Sequence, residues 1–287
     1  SEMSQTERRM FASADGLILA ADALGPPDGP AALLAHGGGQ TRHSWSGAAK
    51  DLAARGWRVV TLDLRGHGDS QWSPEGDYRL ERFAEDLVCV ADQLGGKPAL
   101  VGASLGGLAG LYAEAWIAPG SFSSLTLVDI TPDMDASGVA KIMGFMGAHL
   151  KDGFESPEAA AEAIAAYLPN RPRSGDLSGL TKNLRLRPDG RYRWHWDPRF
   201  VASAQEEHER GPRRDMDEQV RRLKLPMHLI RGRMSELVSE DAAKAFLALA
   251  PHTAFSDVAG AGHMVSGDRN DAFNLALTTF LGAHRGA

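Results

Sequence analysis

Cysteine is almost missing from this chain. Cys89 is the only one in 287 residues, so no internal disulfide can form. It falls in ERFAEDLVCVADQL, which reads as an amphipathic helix, and is expected to be a core thiol without a reactive role. Long apolar runs are missing too. None approaches the roughly 18 residues needed to cross a bilayer, so no membrane span is expected. The opening stretch SEMSQTERRMF carries charges where a secretory leader would carry an apolar core, and the cytoplasm is the expected location. Excess positive charge is also absent. Lys and Arg total 31 against 37 Asp and Glu, a net charge of −6, and no basic stripe points to a nucleic-acid partner. No cluster of ligands with zinc spacing occurs, so neither a metal nor another cofactor is expected.

Apolar residues are present in quantity, at 43 % of the chain, enough for a sizeable core. They fall in short runs at Leu17 to Ala23, Ala31 to Ala35, Val59 to Leu62, Ala99 to Val101 and Leu125 to Val128. Amphipathic stretches of helical length lie between several of them, at about Ser44 to Arg55, Leu80 to Leu94 and Leu105 to Ile117. Continuous apolar strands alternating with helices predict an α/β fold with a mostly parallel sheet covered on both faces. The rhythm breaks after Ile130. Residues 133–218 are rich in Pro, Arg, Gly and Ala, with helix-like pieces such as SPEAAAEAIAAYL. The strand pattern resumes at Met227 to Ile230 and near Thr253 to Val258, each followed by a helix. We therefore expect a core of residues 1–132 and 219–287, and a helical cap of residues 133–218 inserted before the last two strands.

The segment PALVGASLGGLAG places Gly102, Ser104 and Gly106 in a G-x-S-x-G spacing. An ordinary Gly-rich turn is the bland alternative. Here, however, the motif follows an apolar strand and opens a helix, the context in which a serine is lifted out of the sheet edge between two small neighbours. Ser104 is the expected nucleophile. The N-terminus of the helix after it presents unpaired N–H groups and a partial positive charge, so the N–H of Leu105 is one expected oxyanion donor. A second donor is expected from the loop after the third strand, AALLAHGGGQTRHSW. Its run His36-Gly37-Gly38-Gly39 lets the backbone approach a substrate oxygen. Gly38 is assigned, with Gly39 and Gln40 as alternates.

HGGG, TLDLRGHGDS, VGASLGG and GAGHMV, in that order, resemble the α/β-hydrolase superfamily over essentially the whole chain outside residues 133–218. LVDITP, LIRGRMSELVS and AGHMVSGDRNDAF carry a closer resemblance to small bacterial hydrolases labelled esterase-like or cofactor-free peroxidase-like. The resemblance implies a triad in the chain order Ser, acid, His. It places the general base at His263, in the short loop after the last strand. It leaves two acids: Asp129, which ends SLTLVDITP and is preferred, and Glu236, which follows MHLIRGRMSE. The segment Asp63 to Ser70 is expected to be a structural turn, with His67 a lesser candidate for a base.

The inserted residues include Phe145, Phe154, Tyr167, Tyr192, Trp194 and Trp196. They line an acyl pocket on one reading and pack the insertion on the other. Arg171, Arg173, Arg185 and Arg187 are candidate partners for a substrate carboxylate, with solvation the simpler role; Arg231 and Arg233 are nearer the expected site. His195 and His208 are expected at most to touch substrate. The predicted activity is cleavage of a small ester-like acyl substrate through an acyl-enzyme. Thioesterase, lactonase, carbon–carbon hydrolase and amidase chemistry stay open, as does perhydrolysis as a side reaction. A serine at the elbow argues against epoxide hydrolase and haloalkane dehalogenase chemistry, which needs a carboxylate there. A triad-retaining small-molecule receptor is the alternative outside the enzymes. A homodimer is left open.

Overall fold

Apolar runs buried on both sides become the inner strands of one eight-stranded sheet. The computed structural model describes residues 5–167, 178–211, 215–232, 235, 237–258 and 271–285. In chain order the first strands are β1 (Glu7–Ala12), β2 (Ile18–Leu24), β3 (Ala31–Ala35), β4 (Arg58–Leu62), β5 (Ala99–Ala103) and β6 (Ser124–Val128). A separate hairpin follows, β7 (Leu184–Leu186) and β8 (Tyr192–Trp194), and then β9 (Met227–Gly232) and β10 (Ala254–Val258) return to the main sheet. The sheet order is β1-β2-β4-β3-β5-β6-β9-β10. β1–β2 and β2–β4 pair antiparallel, and every later pairing is parallel.

Alternate residues of each inner strand feed opposite cores, as the two-residue repeat of a strand demands. Leu33 and Ala35 of β3, Leu100 of β5 and Leu125 and Leu127 of β6 enter one apolar cluster. That cluster also takes Phe83, Leu87 and Val90 of α2 (Leu80–Gln93) and Ala109 and Leu111 of α3 (Leu105–Tyr112). Ala32 and Leu34, Val101 and Ala103, and Val128 face the other way. They pack with Ala49 and Leu52 of α1 (Ser46–Ala54) and with the C-terminal helix. The chain between β6 and β9 is mainly helical: α4 (Ala136–Gly147), α5 (Pro157–Tyr167), the short α6 (Ser178–Thr181), α7 (Pro198–Arg210) and α8 (Met216–Arg222). α9 (Glu240–Leu249) and α10 (Asp271–Ala283) complete the order. Ser239 caps α9, accepting the Ala242 N–H at 3.0 Å.

Two elements differ from the sequence expectation. β1 is an edge strand whose residues are exposed or half-buried except Phe11, so its sequence ERRMFA shows no apolar face. The hairpin β7–β8 interrupts an insertion read as helical; its three-residue strands are too short to make a period-two pattern. Ion pairs centred on two buried arginines fix the turn at residues 63–70. Arg42 pairs with Asp22, Asp63 and Asp69, and Arg65 with Asp86 and Asp15. Asp63 also accepts the N–H groups of Arg42 and Asp69, so its carboxylate ties both ends of the turn together.

Candidate active site

Ser104 stands between the end of β5 and the start of α3. Its backbone has φ 47° and ψ −114°, a left-handed conformation that costs a non-glycine residue on the order of 1–3 kcal/mol. The Ser104 N–H donates to Val128 O at 3.1 Å, and its carbonyl accepts from Leu108 N at 3.0 Å. The flanking glycines allow the tight turn. A β-carbon at Gly102 would lie 2.4 Å from the Gly107 nitrogen, and one at Gly106 2.4 Å from the Ala35 carbonyl oxygen. The side chain is half-buried, and Leu105 opens α3 directly after it, with its N–H among the unpaired donors of the first turn.

The loop after β3 reaches Ser104. A β-carbon at Gly37 would be 3.1 Å from Ser104 Cβ, so loop and elbow touch. Gly37 N–H is taken by Gln40 Oε1 at 2.9 Å, and Gln40 N–H by Gly37 O at 3.0 Å. Those bonds occupy the Gln40 alternate and leave the amides of Gly38 and Gly39. The Gly37 carbonyl is also held by His36 Nδ1 at 2.7 Å, while His36 Nε2 accepts from Leu64 N at 3.0 Å. Because C=O and N–H of a trans peptide point in opposite directions, fixing Gly37 O aims the Gly38 N–H away from His36. From the insertion, Phe200 lies over Gly38 and Met146 over Gly39; a β-carbon added at each glycine would meet them at 3.2 and 3.0 Å.

Three histidines gather behind this loop. His67 sits 5.1 Å from His36 and 5.7 Å from His195, ring centre to ring centre. All three are fully or almost fully buried. Burial lowers the pKa of His36 to about 4 and of His67 to about 3, and takes His195 well below its usual value. His67 Nδ1 donates to Arg65 O at 2.9 Å. Its Nε2 is buried and has no partner among the described residues, Ser104 included. His195 accepts the Gly68 N–H at Nδ1 (2.8 Å) and donates from Nε2 to Gly39 O (3.1 Å). Sequence reasoning gave His195 at most a substrate contact and missed these bonds, which join residues more than a hundred positions apart.

Asp129 follows β6 directly. Its N–H donates to Ile230 O at 2.7 Å. Its carboxylate accepts from Ser235 and from the Gly232 backbone, with the Arg231 charge nearby, yet burial dominates and raises its pKa to about 6. One oxygen, Oδ1, is buried with no partner among the described residues. His263, Glu236 and Arg233 lie outside the described residues, as do Arg171 and Arg173. Arg231 is buried and braces the β9 end, donating to Val238 O at 2.8 Å and pairing with Asp257 at 3.6 Å.

The insertion aromatics pack mainly on one another. Trp194 stacks on Trp196 at 5.2 Å, Phe145 on Tyr167 at 4.4 Å, and Phe154 meets Trp194 edge-on. Arg185 pairs with Asp69, and Arg187 lies over Trp72. Cys89 is half-buried in α2, and burial raises its thiol pKa. Among the described residues no group of His, Cys, Asp and Glu has the form of a metal site, and no helix is long and apolar enough to cross a membrane.

A model of the alpha/beta hydrolase fold family matches residues 30–269. The chain is 29 % identical over 246 residues to the esterase Rv0045c of Mycobacterium tuberculosis, covering 84 % of this chain and 78 % of that one. It is likewise 29 % identical over 272 residues to the sn-1-specific diacylglycerol lipase ABHD11 of Mus musculus, covering 88 % and 81 %. Among solved structures it is similar to E-2-(acetamidomethylene)succinate hydrolase, with TM-score 0.83 and 25 % identity over 97 % of this chain and 100 % of the other.

Proposed function

The chain belongs to the α/β-hydrolase fold family, and we propose that it is a serine hydrolase cleaving a small ester-like acyl substrate. The observation that carries this reading is Ser104 itself: a half-buried serine at φ 47°, at the N-terminus of a helix and against a glycine loop with a spare amide. Relatives named as an esterase and a lipase support the ester as the bond cleaved.

Ser104 Oγ attacks the carbonyl carbon while His263 takes its proton. The oxyanion accepts from the N–H groups of Leu105 and Gly38, each donor of this kind being worth about 3–4 kcal/mol in the transition state. His263 returns the proton to the leaving alcohol. Water, activated by the same histidine, then releases the acid and frees Ser104. Asp129 is the acid that holds His263 in the productive tautomer. Its Oδ1, buried and without a partner among the described residues, supports this role, because a buried acceptor without a donor is costly and an imidazole Nδ1–H supplies one. The inserted segment is the cap over the site, with Phe200 and Met146 bounding the acyl space.

A fluorophosphonate probe followed by peptide mapping tests the core of the reading. Labelling is expected at Ser104, together with multiple turnovers of short p-nitrophenyl esters that Ser104→Ala abolishes. Labelling at another residue overturns the proposal; one burst without further turnover favours a receptor.

A further inference from the structure

The glycines that form the oxyanion loop have no side chains with which to hold themselves, and glycine is the residue with most backbone freedom to lose. Something outside must fix each peptide plane. Two planes matter here. The first joins Gly37 to Gly38: its carbonyl is clamped by His36 Nδ1 and by the Gln40 N–H, and its N–H is the proposed donor. The second joins Gly39 to Gln40: its N–H is the one that holds Gly37 O, and its carbonyl accepts from His195 Nε2 at 3.1 Å. The planes therefore act in series. Turning the Gly39 carbonyl swings the Gln40 N–H off Gly37 O and loosens the plane that presents Gly38 N–H.

We propose that His195 is a positioning residue for the oxyanion loop, coupling the seating of the inserted segment to the rate of the chemical step. This inference rests on the proposed serine hydrolase reading. His195 belongs to the insertion, yet both its ring nitrogens bond to the core, one to Gly39 O and the other to Gly68 N–H. Its tautomer is thereby fixed: Nδ1 accepts, so Nε2 bears the proton. Its neighbours are stitched to the same turn. Asp197 N–H donates to Gly66 O at 2.9 Å, and Tyr78 Oη donates to Asp197 Oδ2 at 2.7 Å. Trp196 stacks on Trp194 and donates from Nε1 to Met146 O at 3.3 Å. The ring is 1 % exposed, so no water substitutes easily for it.

The test compares His195→Gln, His195→Asn and His195→Leu. Gln places an amide N–H near the Nε2 position and keeps the donor to Gly39. Asn keeps an acceptor for Gly68 and is too short to reach Gly39. Leu keeps neither. The readouts are kcat and KM for p-nitrophenyl acetate, the second-order rate of fluorophosphonate labelling at Ser104, and the melting temperature. Asn and Leu are expected to lose roughly 10- to 100-fold in kcat and in labelling rate, with KM within about threefold, because part of one oxyanion donor is lost. Gln is expected to recover most of that loss. Should Leu fail to fold, the Gln and Asn pair decides. Wild-type kcat and labelling in Asn, or losses that follow melting temperature with no rescue by Gln, overturn the inference while Ser104 labelling leaves the proposed function standing. Labelling away from Ser104 overturns both.

Discussion

Ser104 and Asp129 are paired by register: each stands one residue beyond the matched pair Ala103 and Val128 on neighbouring parallel strands, and each has a left-handed backbone, φ 47° and 57°. Two adjacent non-glycine residues in that region cost several kcal/mol together. The surrounding ladder holds them there, with Ser104 N–H on Val128 O and Asp129 N–H on Ile230 O. Both residues therefore stand just beyond the carboxyl ends of their strands, where ligands bind in open α/β sheets.

The choice of acid is settled by two substitutions. Asp129→Asn is expected to lower kcat on the order of 10⁴-fold, because the imidazole then takes the wrong tautomer. Glu236→Gln is expected to stay within about tenfold of wild type. The reverse result moves the acid to Glu236. Because burial raises the Asp129 pKa to about 6, the carboxylate is lost as pH falls through that value, and kcat/KM is expected to decline below about pH 6. A profile still flat at pH 5 would mean that the carboxylate stays ionised there, and the two substitutions alone then decide the acid.

Glycine substitutions separate the tight elbow from open positions. Gly106→Ala puts a methyl 2.4 Å from the Ala35 carbonyl oxygen and is expected to prevent accumulation of folded protein, or to lower stability by about 3 kcal/mol or more, as overpacking against backbone does. Gly47→Ala, in α1 with nothing within 4 Å of the added carbon, is expected to raise stability by about 0.5–1 kcal/mol. Urea unfolding of the two variants measures both effects.

His67 should prove dispensable for chemistry. His67→Phe is expected to retain most of kcat; a loss beyond about 100-fold would make it a catalytic group.

Stability should fall on acidification. His36 and His67 protonate near pH 6.5 when unfolded but only near 4 and 3 when folded. Between those values the unfolded chain holds more protons, so stability rises with pH and is lost as pH drops below about 6.5. His195 and His228 act in the same direction. Asp86 and Asp129, raised to about 6, oppose them, because the folded chain takes up those protons first. The urea midpoint is expected to fall between pH 6.5 and 4.5, and His67→Phe to make that slope shallower by about one proton, roughly 1.4 kcal/mol per pH unit. An unchanged slope in the variant would mean that His67 is protonated in the folded protein.

Removing the side chains above the glycine loop should widen substrate choice. Met146→Ala and Phe200→Ala are expected to cost about 2–5 kcal/mol of stability and to shift kcat/KM toward longer acyl esters. An unchanged chain-length profile would place the acyl group elsewhere.

The inner sheet was legible because its strands are apolar on both faces, and the elbow because G-x-S-x-G sat between a strand and a helix. β1 escaped because Phe11 alone among its residues is buried. The hairpin β7–β8 escaped because it has three residues a side. The loop after β3 was legible as a glycine run, but the bonds that clamp it were not. His195 bonds to Gly68 and Gly39, 127 and 156 positions away, and no local pattern reports a contact at that range. Met146 escaped for the same reason, since its place over the loop depends on how the insertion docks.

β10 is one of the two edge strands and, among the described residues, pairs with β9 alone, with Phe255 exposed on it. His263, the proposed proton carrier, follows this edge strand by five residues in sequence, whereas Ser104 follows β5, an inner strand of the sheet. Gentle urea is therefore expected to extinguish turnover before the far-ultraviolet signal of the sheet collapses, because an edge pairing opens before a central one.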